Sequence, residues 1–141
     1  MEKIVIAPCA GFDEQAVEAL YESVGWTSYL RRPGLLREAW AASLKILTAR
    51  DGDTLAGVIR AVGDGVSILY IQDMIVHPAY QRRGIGKRLM QEMLDCFPDV
   101  NQVVLLTDNT QGTLRFYEAV GLIRAEQAGC RAMLRLHGIY G

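Results

Sequence analysis

Apolar positions change period several times along the chain, and each change marks an element. Residues 3–7 read as a short first strand stopped by Pro8. Ala16, Val17, Leu20, Tyr21 and Val24 then recur at helical spacing behind Asp13, whose carboxylate suits an N-cap, and Gly25 ends that helix. After WTSYLRRPG, an aromatic and basic stretch punctuated by Pro33 and Gly34, a second helix is expected over residues 35–44. Three strand-like runs follow, 46–50, 54–62 and 66–76, separated by Asp51-Gly52 and Gly63-Asp64-Gly65 and closed by His77-Pro78. Such turns between β-branched runs predict an antiparallel meander.

The period returns to helical at Ile85, Leu89, Met90, Met93, Leu94 and Phe97, so an amphipathic helix starts near Gly84 and stops before Pro98. Residues 103–107 form a short apolar strand. Joined through the helix, it should lie parallel to the strand before it. A last helix is expected over 111–120, with Gly121 at its left-handed end. One or two closing strands follow, the clearer over 130–136. The expected fold is α/β, a mixed central sheet with helices on both faces, forming one domain over residues 1–141.

Composition narrows the classes. A chain of 141 residues suits one domain with a single core, and 50% hydrophobic against 22% charged residues excludes disorder. Fifteen basic and sixteen acidic side chains give a net charge of −1, which argues against a general nucleic-acid binder. Cys9, Cys96 and Cys130 lie far apart without a CxxC pair. They read as reduced thiols of a cytosol, acting as small core hydrophobes. With only His77 and His137, a His/Cys metal site is not expected. The start of the chain lacks a signal-peptide pattern and no apolar run reaches membrane-spanning length, so a cytoplasmic protein without a membrane partner is expected. Nothing in the sequence requires a homodimer or excludes one.

The candidate chemistry lies in MIVHPAYQRRGIGKRLM, where a strand ends and a helix opens on a Gly-x-Gly pair. A first helical turn offers unpaired N–H groups and the positive end of the dipole. Gly84 and Gly86 let a phosphate approach that backbone, and Arg82, Arg83, Lys87 and Arg88 add positive charge. A dinucleotide GxGxxG fails because Leu89 replaces the third glycine. A nucleoside-triphosphate loop fails at Gln81 and again at Arg88.

The spacing Q-x-x-G-x-G, Gln81 to Gly86, preceded by IVHPAYQ, resembles the acyl-CoA pyrophosphate loop of the GNAT superfamily of N-acetyltransferases. DNTQGTLRFYEAVGL resembles that family's second signature, an asparagine followed by FYE-x-x-G-[FL]. The signatures cover roughly residues 69–122, and the first 45 residues resemble the family only in outline. The resemblance implies a GNAT-like fold and a direct transfer of acetyl from acetyl-CoA to a primary amine, most simply on a small molecule, with no metal. It implies that the backbone of Met74, Ile75 and Val76 pairs with the pantetheine arm. It also implies that Arg82, Arg83, Gly84, Ile85, Gly86 and Lys87 wrap the pyrophosphate, and that Asn109 helps hold the pantetheine side. Tyr117 is then the general acid for the thiolate, since a phenol near its reference pKa of about 10 stays protonated at neutral pH. A backbone N–H near Val76 serves as oxyanion donor.

One departure is visible. The family asparagine commonly sits seven residues before the tyrosine, and here Thr110 holds that place while Asn109 is eight before Tyr117. The base stays open. Strand alternation groups Tyr70, Gln72, Met74 and Val76 on one face and Ile71, Asp73 and Ile75 on the other, so Asp73 points away from the first group unless a bulge intervenes. Glu38 and a path through water are the other options. On structural readings, Asp73 satisfies a backbone or helix terminus and His77 is structural. Trp26, Tyr29, Arg31 and Arg32 are candidates for the acceptor side. Two other functions use the same residues: a non-catalytic CoA-binding sensor or partner module, and a protein or peptide N-acetyltransferase.

Overall fold

In the computed structural model, residues 3–137 are described, and the chain divides into two compact units, Met1–Leu106 and Thr107–Gly141. The first contains β1 (Ile4–Pro8), α1 (Glu14–Ser23), a 3-10 turn at Ser28–Leu30, α2 (Leu35–Ala41), β2 (Lys45–Asp51), β3 (Thr54–Val62), β4 (Ile68–Val76), a 3-10 turn at Pro78–Tyr80, α3 (Ile85–Cys96) and β5 (Gln102–Leu105). The strands lie in the order β1-β2-β3-β4-β5. The first four are antiparallel and β5 is parallel to β4. The mixed sheet expected from the sequence is therefore present, with the crossover through α3.

Local chemistry sets the boundaries. Asp13 accepts from the Ala16 N–H at 3.3 Å and caps α1. Helix α2 stops at Ala41, three residues before the expected end. Ser43 turns its hydroxyl onto the Ala39 carbonyl at 2.8 Å, and the Leu44 N–H already donates to Ala61 of the sheet at 2.9 Å. Strand β4 starts late because the Asp64 carboxylate gathers the N–H groups of Val66, Ser67 and Ile68 at 2.8–3.0 Å.

Helices cover both faces of the sheet. On one, α1 and α2 bury Val17, Leu20, Tyr21, Leu36 and Trp40 with Leu55, Val58 and Ile75. On the other, α3 buries Ile85, Leu89, Met90 and Met93. Each such side chain contributes roughly 1.5–3 kcal/mol. Gly57 permits the close approach of α3: a Cβ there would fall 3.3 Å from Leu89 Cδ1 and 2.9 Å from the Ile75 carbonyl oxygen.

The second unit holds α4 (Gln111–Ala119) and a 3-10 turn at Ala125–Ala128. Thr110 caps α4 with its hydroxyl on the Thr113 N–H, and Gly121 leaves the helix at φ 99°. The strand expected over 130–136 is absent: residues 130–136 are irregular. Met133 and Leu134, on opposite faces of any such strand, are 93% and 61% exposed, so the segment buries neither face. A strand needs a paired backbone neighbour as well as a pattern. The cysteines also depart from expectation, for Cys96 and Cys130 are exposed and Cys9 is partly so. No described helix is long and apolar enough to cross a membrane.

Candidate active site

Strand β4 is longer than its parallel neighbour. It pairs with β5 only over Ile68–Ile71, while its pairing with β3 runs on to Val76. One edge of β4 is therefore uncovered from Gln72 onward within this unit. The register explains where this begins. Arg60 faces Asp73 and Ala61 faces Ile71, so Gln72 is an extra residue, a bulge. A bulge bends the strand and sharpens its twist, and β5 itself ends at Leu105, the partner of Ile71.

The direction of the backbone groups follows. The His77 N–H donates to the Ala56 carbonyl at 2.8 Å, and the Ile75 carbonyl lies over Gly57, so both residues turn their backbone to β3. The residues between alternate, leaving Met74 and Val76 directed to the open edge. The Val76 carbonyl is taken by the Gln81 side-chain nitrogen at 3.0 Å. Of the three residues expected to pair with an extended ligand, Met74 and Val76 direct their backbone to the open edge and Ile75 is engaged by β3.

Gln81 also ties this strand end to the glycine turn. His77 Nδ1 accepts from the Ala79 N–H at 3.0 Å and caps the intervening 3-10 turn, a structural role as expected. Tyr80 Oη donates to Asp51 Oδ2 at 2.7 Å, and the Arg83 guanidinium lies 5.3 Å from the Tyr80 ring centroid. Two left-handed residues then bend the chain, Arg82 at φ 66° and Gly84 at φ 78°. A non-glycine residue in this region costs about 1–2 kcal/mol, the kind of strain that clusters at functional sites. The first intrahelical bond of α3 runs from the Arg88 N–H to the Gly84 carbonyl at 3.1 Å, and no side chain caps the helix. The N–H groups of Ile85, Gly86 and Lys87 are thus left for an outside acceptor. The buried Ile85 side chain anchors this turn, while Arg82, Arg83 and Lys87 are exposed around it. Arg88 instead reaches back to the Ile4 carbonyl at 3.3 Å. The donor set fits an extended diphosphate.

The bulge also corrects the face assignment made from strict alternation. Gln72 and Asp73 both bond to Tyr29 of the first 3-10 turn, so they share the α1 side of the sheet. Asp73 lies in a buried polar network. Its Oδ2 accepts from Arg60 Nε at 2.7 Å and Tyr21 Oη at 2.7 Å, and its Oδ1 accepts from Tyr29 Oη at 2.9 Å. Arg60 also donates to Ser43 Oγ, the Ala39 carbonyl and Tyr29 Oη, and Trp40 Nε1 donates to Tyr21 Oη. Asp73 and Arg60 are 2% and 3% exposed. Among the described residues no buried side-chain polar atom is left without a partner. Burial, then the Asp73 carboxylate, raises the pKa of both Tyr21 and Tyr29. Burial depresses that of Arg60, but Asp73, with Tyr29 and Tyr21 behind it, leaves it raised.

Asp73 thus satisfies a buried arginine rather than a helix terminus. Arg60 was missed in the sequence, although the signal was present: one charge each in two apolar strands, TLAGVIRAV and ILYIQDMIV. Glu38 is exposed and pairs with Arg32 at 3.3 Å. Trp26 stands edge-on to Tyr21, with ring centroids 6.5 Å apart, and Arg31 is exposed.

In the second unit, Tyr117 lies edge-on to Phe116, with centroids 5.0 Å apart. Its pKa is raised by burial and then by the Asp108 carboxylate. Asp108 is itself held low, first by the Thr110 N–H at 2.9 Å and then by the Thr110 hydroxyl at 2.7 Å. Thr110, at the seventh place before Tyr117, is used as the α4 cap. Asn109 is exposed just outside the helix. Among the described residues no cluster of three or more His, Cys, Asp or Glu could hold a metal ion.

Residues 13–122 match the model of the acetyltransferase (GNAT) family. An uncharacterized N-acetyltransferase ycf52-like protein of Prochlorococcus marinus is 36% identical over 112 residues, covering 74% of this chain and 59% of that protein. A protein of Glycine max named histone acetyltransferase TAP1 is 27% identical over 147 residues, covering 94% of this chain and 61% of its own length. The chain therefore spans about three-fifths of the length of these curated relatives. The structure of a GNAT-family acetyltransferase from Streptococcus pneumoniae TIGR4 superposes with a TM-score of 0.86 at 38% identity, covering 96% of this chain and 99% of that one.

Proposed function

Since this chain belongs to the GNAT acetyltransferase family, we propose that it transfers the acetyl group of acetyl-CoA to a primary amine on a small molecule, by direct attack on the thioester. The observation that carries the reading is a juxtaposition. The β4 edge that β5 leaves uncovered at Met74 and Val76 is tied through Gln81 to the turn at Gly84, whose following three N–H groups have no helical acceptor. An edge of this kind pairs with the amides of an extended arm, and the turn with a diphosphate at one end of that arm. Arg82, Arg83 and Lys87 add charge around the diphosphate. Asn109 serves the pantetheine side. When the amine attacks, charge gathers on the carbonyl oxygen, and the Val76 N–H is the donor for it. Tyr117 keeps its proton at neutral pH and gives it to the departing sulfur.

The test is calorimetric titration with CoA and with pantetheine, beside a thiol-release screen of amines, amino acids, aminosugars and peptides with acetyl-CoA. Charge-assisted hydrogen bonds contribute about 1.5–3 kcal/mol each, so CoA should bind at least about 100-fold more tightly than pantetheine. Equal affinities would sink the diphosphate site. Tight binding with no thiol release from any amine would favour the non-catalytic module, and release with peptides alone the peptide enzyme.

Arg82→Gly separates strain from charge. Relieving the left-handed arginine should raise stability by roughly 0.5–1 kcal/mol, the added chain entropy of glycine offsetting part of the gain. Losing the guanidinium should weaken CoA about tenfold. Thermal unfolding and the CoA titration measure the two effects, and unchanged affinity would remove Arg82 from the site.

A further inference from the structure

Hydrogen-bond bookkeeping fixes the orientation of the Gln72 amide. The Tyr29 phenol has one proton, and the Asp73 carboxylate at 2.9 Å, engaged with Arg60, can only accept, so the proton goes there. Tyr29 Oη then has lone pairs alone to offer. It accepts from Arg60 at 3.1 Å and from Gln72 at 3.1 Å. Gln72 must therefore present its NH₂ to Tyr29, which leaves its carbonyl Oε1 without a partner among the described residues. Gln72 is exposed, it is the bulged residue, and it opens the stretch of β4 that β5 leaves uncovered.

We infer that Gln72 is the acceptor-amine ligand, its carbonyl turned outward by Tyr29 to receive an N–H of the attacking amine. This deepens the acetyl-transfer reading and rests on it. An N–H held on Oε1 orients the nitrogen lone pair for attack. The C–N bond forms and the C–S bond breaks. The sulfur takes a proton from Tyr117, and the nitrogen releases one to water, from which Tyr117 is reprotonated. Tyr29 is a positioning residue, locked by the Arg60–Asp73 pair.

The titratable and charged groups that the described hydrogen bonds join to Gln72, directly or through Tyr29, are Tyr29 from the 3-10 turn, Arg60 from β3, Asp73 from β4 and, through Asp73, Tyr21 from α1. Asp73 already accepts three hydrogen bonds, and Tyr21 and Tyr29 spend their protons on it. None is placed as a base, so an ammonium acceptor loses its first proton to water. The pH dependence of kcat/KM should then shift when the acceptor is exchanged for one of different basicity.

The experiment compares wild type, Gln72→Met and Tyr29→Phe with the best amine of the thiol-release panel. Gln72→Met should raise the amine KM about tenfold and leave the acetyl-CoA KM within about twofold, the magnitude of one hydrogen bond. Tyr29→Phe should move the amine KM in the same direction by a smaller factor. An unchanged amine KM, an acetyl-CoA KM that rises with it, or a pH profile indifferent to the amine would overturn the inference. If CoA binds but no amine releases thiol, the acetyl-transfer reading fails separately. Gln72 is then judged by NMR on the CoA-saturated protein titrated with n-butylammonium. Saturable shifts of the Gln72 side-chain amide support the amine seat, and their absence overturns it.

Discussion

Asp73→Ala is expected to lower the free energy of unfolding by about 3–5 kcal/mol, a large share of the 5–15 kcal/mol typical of a domain. The carboxylate is 2% exposed and is the counter-charge to a guanidinium that is 3% exposed. Removing it leaves Arg60 hydrogen-bonded to Ser43, Ala39 and Tyr29 but with its charge uncompensated, and it strips two phenols of their acceptor. Urea unfolding would report this as a lower midpoint at constant m. The double substitution Arg60→Met with Asp73→Leu should recover most of the loss, because it removes both charges and fills the space with apolar atoms. A single-variant loss below about 1 kcal/mol would contradict the account. The same network predicts an alkaline limit. Tyr21 and Tyr29 have folded pKa values above the ordinary phenol value of 10.0. Stability is complete below that value and falls as pH rises past it, since the unfolded chain ionises first.

Tyr117→Phe is the second large effect, now on chemistry. General acid catalysis contributes about 100- to 10,000-fold, and the substitution removes only the hydroxyl. The expected result is a kcat lower by about 100- to 1,000-fold, with CoA affinity and unfolding midpoint nearly unchanged. Burial and the Asp108 carboxylate hold the phenol above its usual pKa, so it should remain a donor throughout the neutral range. The wild-type rate should fall only above about pH 10, the ordinary phenol value, and that alkaline limb should be missing in the variant. Equal turnover in Tyr117→Phe would exclude it as the acid. A matched loss of CoA affinity would make it a binding residue instead.

Both experiments bear on residues whose legibility in the sequence differs. The helical stripe of α3, the hairpin turns and the Gly84 junction depend on neighbours a few residues apart, and periodicity carries such information well. Tyr117 and residues 82–87 were singled out on two family signatures, each of which occupies a contiguous segment of the sequence. The strand expected over 130–136 does not form, since residue type by itself does not report whether a partner strand is available. Asp73 was misread because its partners lie 13, 44 and 52 residues away, beyond any local window. The exposed Cys96 and Cys130 show the same limit, since residue type carries only an average preference for burial.

By itself the sequence determined the succession of strands and helices and the turn where backbone amides are left over, because backbone dihedrals and caps answer to adjacent side chains. Only the tertiary structure decided that Gln72 is a bulge, that β4 outruns β5, and that a buried arginine claims Asp73. Register between strands is a choice among long-range pairings, and one extra residue moves every side chain beyond it to the other face.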